Sequence, residues 1–209
     1  MNREYLQNIF KEKKSAYPDF VKQVQKESAT EQWGAGVLGA YHLAPYASEL
    51  IGHQPGKMLK GPSTPAKNRY QYFLDKEGGI ICSITYNKAI PAPDNWIHTD
   101  EFFEHDADHA ISYKFSSIGG ADLVADLERV TYATLERGQI TKTYSLSDEN
   151  EYVETDYQYQ DGKVIKIEQK MWYEILYIRN FELEHDGDEV RIIERKADGH
   201  VKQIYPELT

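Results

Sequence analysis

The chain has 209 residues, 40% of them hydrophobic and 28% charged, with a formal net charge of -10 at neutral pH. That length and apolar content suit one globular domain and exclude a disordered chain, and the acidic balance excludes a surface built for nucleic-acid phosphates or anionic lipid, which reward clustered Lys and Arg. Cys82 is the only cysteine, which excludes an intramolecular disulfide and a thiolate metal site within one chain.

The charge is unevenly placed. Residues 1–30 carry six Lys/Arg against four Asp/Glu, so the remainder holds 18 against 30. An acidic body of this kind suits a basic partner, and solubility alone is the plainer reading. Lys11, Glu12, Lys13 and Lys14 fall where the apolar segment of a signal peptide would lie, so a cytoplasmic chain is expected.

Leu6, Ile9, Phe10 and Lys13 recur at helical spacing over residues 2–14, and Pro18 with Asp19 opens a second amphipathic helix carrying Phe20, Val21 and Val24 on one stripe. Packing on a sheet is the expected role of both stripes, because their polar faces mix signs rather than presenting the basic face of a membrane-surface helix. Trp33 to Gly56 is rich in Gly and Ala, with Glu49 its only formal charge. Gly34, Gly36 and Gly39 have the spacing of a dinucleotide-binding fingerprint but lack the preceding strand and the acidic residue about 20 positions on. Gly52 to Met58 echoes a phosphate loop, one residue short and with Met58 in place of the hydroxyl. The segment reads as a Gly/Ala-rich helix or turn packed closely on the sheet, and no cofactor is expected.

Lys60 to Asn68, with two prolines and a glycine, is a connector. Beyond it the pattern turns to period two. Tyr70, Tyr72 and Leu74 alternate before a glycine turn at Gly78-Gly79, and Ile80, Cys82, Ile84 and Tyr86 return, placing Cys82 in a buried strand. A second proline-rich loop spans Ile90 to Asn95, and residues 121–127 have helical spacing that runs into a strand-like segment. The clearest hairpins lie between Asp156 and Tyr205, where Asp161-Gly162, Asp186-Gly187-Asp188 and Asp198-Gly199 separate alternating runs. The expected fold is α+β and mainly β: N-terminal helices over residues 1–59, a connector over 60–68, and over 69–209 an antiparallel meander of about ten strands forming a barrel or strongly curved sheet, in one domain.

Trp96 to His109 is the densest cluster of ligand-type residues. His98, His105 and His109 are the candidate metal set, although the helix signature of a hydrolytic zinc site is absent and a charged hairpin tip accounts for the same residues. No Gly-x-Ser-x-Gly elbow occurs, and an enzyme is not the favoured reading. Tyrosine is the more informative excess: Tyr157 and Tyr159 share a strand face, and Glu182, Glu184 and Asp186 line one edge of a hairpin. Exposed tyrosines among acids make a protein-binding face, because rigid rings supply contact area and acids steer a basic partner. The sequence therefore points to a non-enzymatic acidic protein that masks or inhibits a basic protein partner, as an immunity factor or escort does, with Tyr157, Tyr159, Glu182, Glu184 and Asp186 at the interface. A β-barrel holding a small apolar ligand and a metal-dependent hydrolase are the alternatives. Homodimerisation through an uncovered edge strand is a further expectation.

Overall fold

The computed structural model describes residues 2–89, 96–117 and 125–207. The proline-rich loop at 90–95 and most of the 121–127 segment lie outside the described residues; from Ala125 onward that segment is strand. Helix α1 (Arg3–Lys13) is capped by Asn2, whose side-chain oxygen accepts from the Tyr5 N–H at 3.0 Å. Helix α2 (Tyr17–Glu27) carries Pro18 in its first turn, where the missing N–H costs nothing.

The strands are β1 (Thr30–Ala35), β2 (Lys57–Met58), β3 (Arg69–Leu74), β4 (Ile80–Ala89), β5 (Trp96–His105), β6 (His109–Ser117) and β7 (Ala125–Glu136). They continue as β8 (Gln139–Ser147), β9 (Tyr152–Gln160), β10 (Lys163–Trp172), β11 (Leu176–Asp186), β12 (Glu189–Arg195) and β13 (Val201–Tyr205). All belong to one antiparallel sheet in which β3 to β13 follow chain order and β1 lies between β3 and β2. Tight turns set this meander where the sequence placed them: Asp161 and Gly162 both have positive φ between paired Gln160 and Lys163, as a two-residue hairpin requires. The sheet has 13 strands rather than about ten, and it does not close into a barrel. Residues 1–59 are not wholly helical, because β1 and β2 extend the sheet edge beyond β3 and shield backbone groups that β3 would otherwise leave open.

The sheet nevertheless curls. Laid flat at about 4.8 Å per strand, β2 and β13 would lie roughly 58 Å apart. Yet the Tyr205 hydroxyl in β13 donates to Gln54 Oε1 at 2.6 Å, and Lys57 begins β2 only three steps along the chain, a reach of at most about 11 Å. The first and last strands thus approach the two sides of one loop without pairing. Register shifts in several strand pairs, including β3–β4, β6–β7 and β9–β10, supply local bends of the kind bulges give.

Both faces are covered, by different parts of the N-terminal third. On one face, Leu6, Tyr17 and Phe20 of the helices pack with Phe102, Tyr113, Phe115, Val130 and Leu146. Phe20 stacks on Phe102 at 5.0 Å between centroids. The Gly/Ala-rich segment crosses the other, concave face as a strap over residues 36–56. Its Leu43 packs with Phe103, Ala110 and Ala133, and its Leu50 packs with Tyr157, Ile167, Phe181 and Ile192. Phe102 and Phe103, adjacent in β5, go to opposite faces as the pleat demands. The neck of the strap closes where the Gly56 N–H donates to the Gly39 carbonyl at 3.3 Å. So Gly34 and Gly39 leave room for the Tyr72 side chain and Gly36 lies directly against the Gly56 backbone, rather than the three cradling a pyrophosphate at a helix N-terminus.

Candidate functional site

The expected face of exposed tyrosines does not form. Tyr157 is 6% exposed and belongs to the core beneath the strap, and the half-buried Tyr159 donates its hydroxyl to the Ile140 carbonyl at 2.8 Å. Period two placed both rings on one face correctly, with Gln158 and Gln160 outward and exposed, but that face is the covered one. The acids are on the surface. Glu182 is half-buried and pairs with Arg195 at 2.7 Å, exposed Glu184 pairs with Arg191 at 3.1 Å, and Asp186 is exposed at the end of β11.

Glu184 and Asp186 border a cleft of about 720 Å³ between the β11–β12 turn, β13 and the strap. Glu49, Asp188 and Glu189 also line it, so among the described residues five acidic side chains and one arginine, Arg191, border the cleft. Glu49 comes from the strap's short 3-10 helix (Glu49–Ile51), and burial raises its pKa above the ordinary carboxylate value. Gln54 and Tyr205 fasten the strap to β13 at the cleft wall. Sequence reasoning missed Glu49 as a site residue, although its standing as the sole formal charge in an otherwise neutral segment was a signal.

The three candidate histidines do not converge. His98 and His105 lie seven residues apart in β5, roughly 23 Å along an extended strand. At the β5–β6 turn, Asp106, Asp108 and His109 bring ligand-type atoms within 4.8 Å of one another. Those groups already satisfy each other there: His109 Nδ1 lies 2.8 Å from Asp108 Oδ1, an interaction that lowers the Asp108 pKa, and the His109 ring stacks on Tyr132. His105 stacks on Phe103 and its Nε2 lies 3.2 Å from the Ile80 carbonyl.

His98 takes part in a different arrangement. Asp100, only 3% exposed, has Oδ1 at 2.6 Å from His98 Nδ1 and accepts the Tyr17 hydroxyl on Oδ2 at 2.5 Å. Burial, then the adjacent Asp100 charge, raise the Tyr17 pKa, so its hydroxyl stays a donor. This buried chain ties α2 to β5. Cys82, nearby and 2% exposed, has its thiol pKa pushed well up by burial first and by the Asp100 charge second, which leaves it an inert apolar residue.

A second cavity, of about 330 Å³, opens on the concave face between the start of the strap and β3 to β6. Tyr41, His42, Ser83, Thr85, Thr99 and Glu101 are among its lining groups, a polar set. Burial lowers the His42 pKa, and its Nε2 lies 3.2 Å from the Ser48 hydroxyl within the strap. An unfolded imidazole titrates near pH ~6.5; because the folded value lies lower, the stability His42 contributes is present above that pH and is lost as pH falls through the folded value. Thermal melts of the wild type are therefore expected to drop more between about pH 6.5 and 5 than those of His42→Asn. Equal pH slopes would refute this.

The tip of the β10–β11 hairpin groups five exposed large side chains, Tyr173, Ile175, Leu176, Tyr177 and Ile178, all between 47% and 62% exposed. It sits at the opposite end of β11 from the acidic cleft. Among the described residues no helix is long and apolar enough to cross a membrane. Comparison with protein-family models, curated proteins and solved structures gives no match to this chain. The functional reading therefore rests on the site geometry.

Proposed function

We propose that this chain is a non-enzymatic acidic binding protein that masks a basic protein partner, with the cleft at the β11–β12 turn as its docking site. The observation that carries this reading is the concentration of Glu49, Glu184, Asp186, Asp188 and Glu189 around one groove, with Arg191 as the one Lys or Arg among the described residues that line it. A concave surface lined by one sign of charge focuses its field and raises the encounter rate of an oppositely charged partner by about 10 to 10³-fold. The acids occupy a paired hairpin end and a strap fastened at Tyr205, so a Lys- or Arg-bearing segment would meet them already positioned. In this reading Glu184 and Asp186 belong to the interface, whereas Glu182, paired with Arg195, is not among the residues that line the cleft. Tyr157 and Tyr159 act instead as the packed floor under the strap.

Asp186, Asp188 and Glu189 are exposed, so reversing all three to Lys leaves the core intact. A basic protein retained from the source lysate at low salt should associate at least about tenfold more slowly with the triple variant, and its wild-type affinity should fall as salt rises. Surface plasmon resonance at two ionic strengths reads both effects. A retained partner that binds the triple variant as fast as the wild type, or binds independently of salt, would rule out this cleft as the site.

A further inference from the structure

Glu101 is the acidic member of a cross-strand pair that does not close. It lies directly opposite Lys114 in the β5–β6 ladder, yet the Lys114 ammonium turns to Glu128 at 3.9 Å. Among the described residues the Glu101 carboxylate has neither an ion-pair partner nor a hydrogen-bond donor, although it is half-buried in the wall of the 330 Å³ concave cavity. A carboxylate that meets no donor of its own in a cavity wall is open to a charge-assisted hydrogen bond from a cation.

The surrounding groups specify more. Ser83 is 7% exposed, and its hydroxyl faces the cavity with no protein partner among the described residues. The hydroxyls of Tyr41 and Thr85 are likewise free of protein partners there. Tyr41 stays neutral, since burial first and the Glu101 charge second push its pKa up to about 12. His42 is neutral above the mildly acidic range. The wall therefore carries the Glu101 carboxylate, the Lys114 ammonium drawn toward Glu128, and a ring of neutral hydrogen-bonding groups, while Lys67 is exposed at the rim.

We infer that this cavity binds a small polar molecule bearing a primary ammonium group, with Glu101 as its counter-charge and the Ser83, Thr85 and Tyr41 hydroxyls bonding its polar remainder. The volume is at the low end for ligand pockets, which suits an amino-acid-sized amine rather than an extended chain. The site lies on the concave face of β3 to β6 and is independent of the acidic cleft at β11–β13.

Glycinamide and its uncharged isostere propionamide separate the charge from shape, and two-dimensional NMR titration at moderate salt reads the backbone amides of Tyr41, Thr85 and Thr99. Glycinamide should shift these signals saturably and propionamide should not. Glu101→Gln should weaken glycinamide at least about tenfold, the scale of one charged hydrogen bond, with an unchanged melting temperature as its folding control. Glu101→Asp, which keeps the charge, should restore discrimination between the two probes. The inference fails if glycinamide gives no saturable shift, if propionamide binds equally well, or if a folded Glu101→Gln variant binds glycinamide as tightly as the wild type.

Discussion

Asp100→Ala is expected to destabilise the protein by about 3–5 kcal/mol, the scale of two hydrogen bonds to a buried carboxylate at about 1.5–3 kcal/mol each. Asp100 is nearly inaccessible and accepts two hydrogen bonds, from Tyr17 in α2 and His98 in its own strand. Removing the carboxylate leaves the Tyr17 hydroxyl under α2 without its acceptor and loosens the aromatic contact through which α2 sits on the sheet. Tyr17→Phe removes one bond and keeps the ring, so it should cost only about 1.5–3 kcal/mol. In the Asp100→Ala background the same change should cost almost nothing, because the partner is already gone. Urea denaturation of the two single variants and the double variant closes the cycle. A loss below about 1 kcal/mol for Asp100→Ala, or additive losses, would show that the Tyr17–Asp100–His98 chain is not what anchors α2.

The local parts of this fold were legible in the sequence, and the parts made by distant residues were not. Alternation with Asp-Gly turns marks the hairpins because a type I′ turn demands positive φ at both central positions, and Asp161-Gly162 complies. The two helices follow from their apolar stripes and, for the second, from Pro18 with Asp19 at its start. Alternation also put Tyr157 and Tyr159 on one face, but it cannot tell which face is covered. The cover is a strap that departs from β1 and reaches Leu50, more than a hundred positions before Tyr157. The same distance hid the role of Asp100, whose partner Tyr17 is 83 residues away. Within the dense acid and histidine cluster, Asp100 looked like one more exposed ligand, and it is in fact the most enclosed. The acidic cleft was half visible: the hairpin acids Glu184 and Asp186 were legible, whereas the contribution of Glu49 depends on the strap's path across the concave face.

Gly56→Ala tests that path. A Cβ at this position would lie 2.5 Å from the Leu38 carbonyl oxygen and 2.7 Å from the Ala40 nitrogen, both backbone atoms held by the neck of the strap, so no flexible side chain can move aside. The expected cost is about 3 kcal/mol, at the upper end for overpacking a tight site. Gly61→Ala is the matched control: nothing lies within 4 Å of its Cβ position, so it should be neutral or stabilise slightly by restricting the unfolded chain. The consequence reaches beyond stability, because Gln54, two residues before Gly56, fastens the strap to Tyr205, and Tyr41 and Glu49 bring the strap to both the polar cavity and the acidic cleft. Hydrogen exchange in Gly56→Ala should accelerate along residues 39–56 and in β13 together, while the helix-covered strands β6 and β7 keep their protection at low denaturant. Exchange confined to the neck, with β13 unchanged, would mean that the curl of the sheet does not depend on the strap. In that case the two recesses would be properties of the meander itself, since each is walled on its remaining sides by strands.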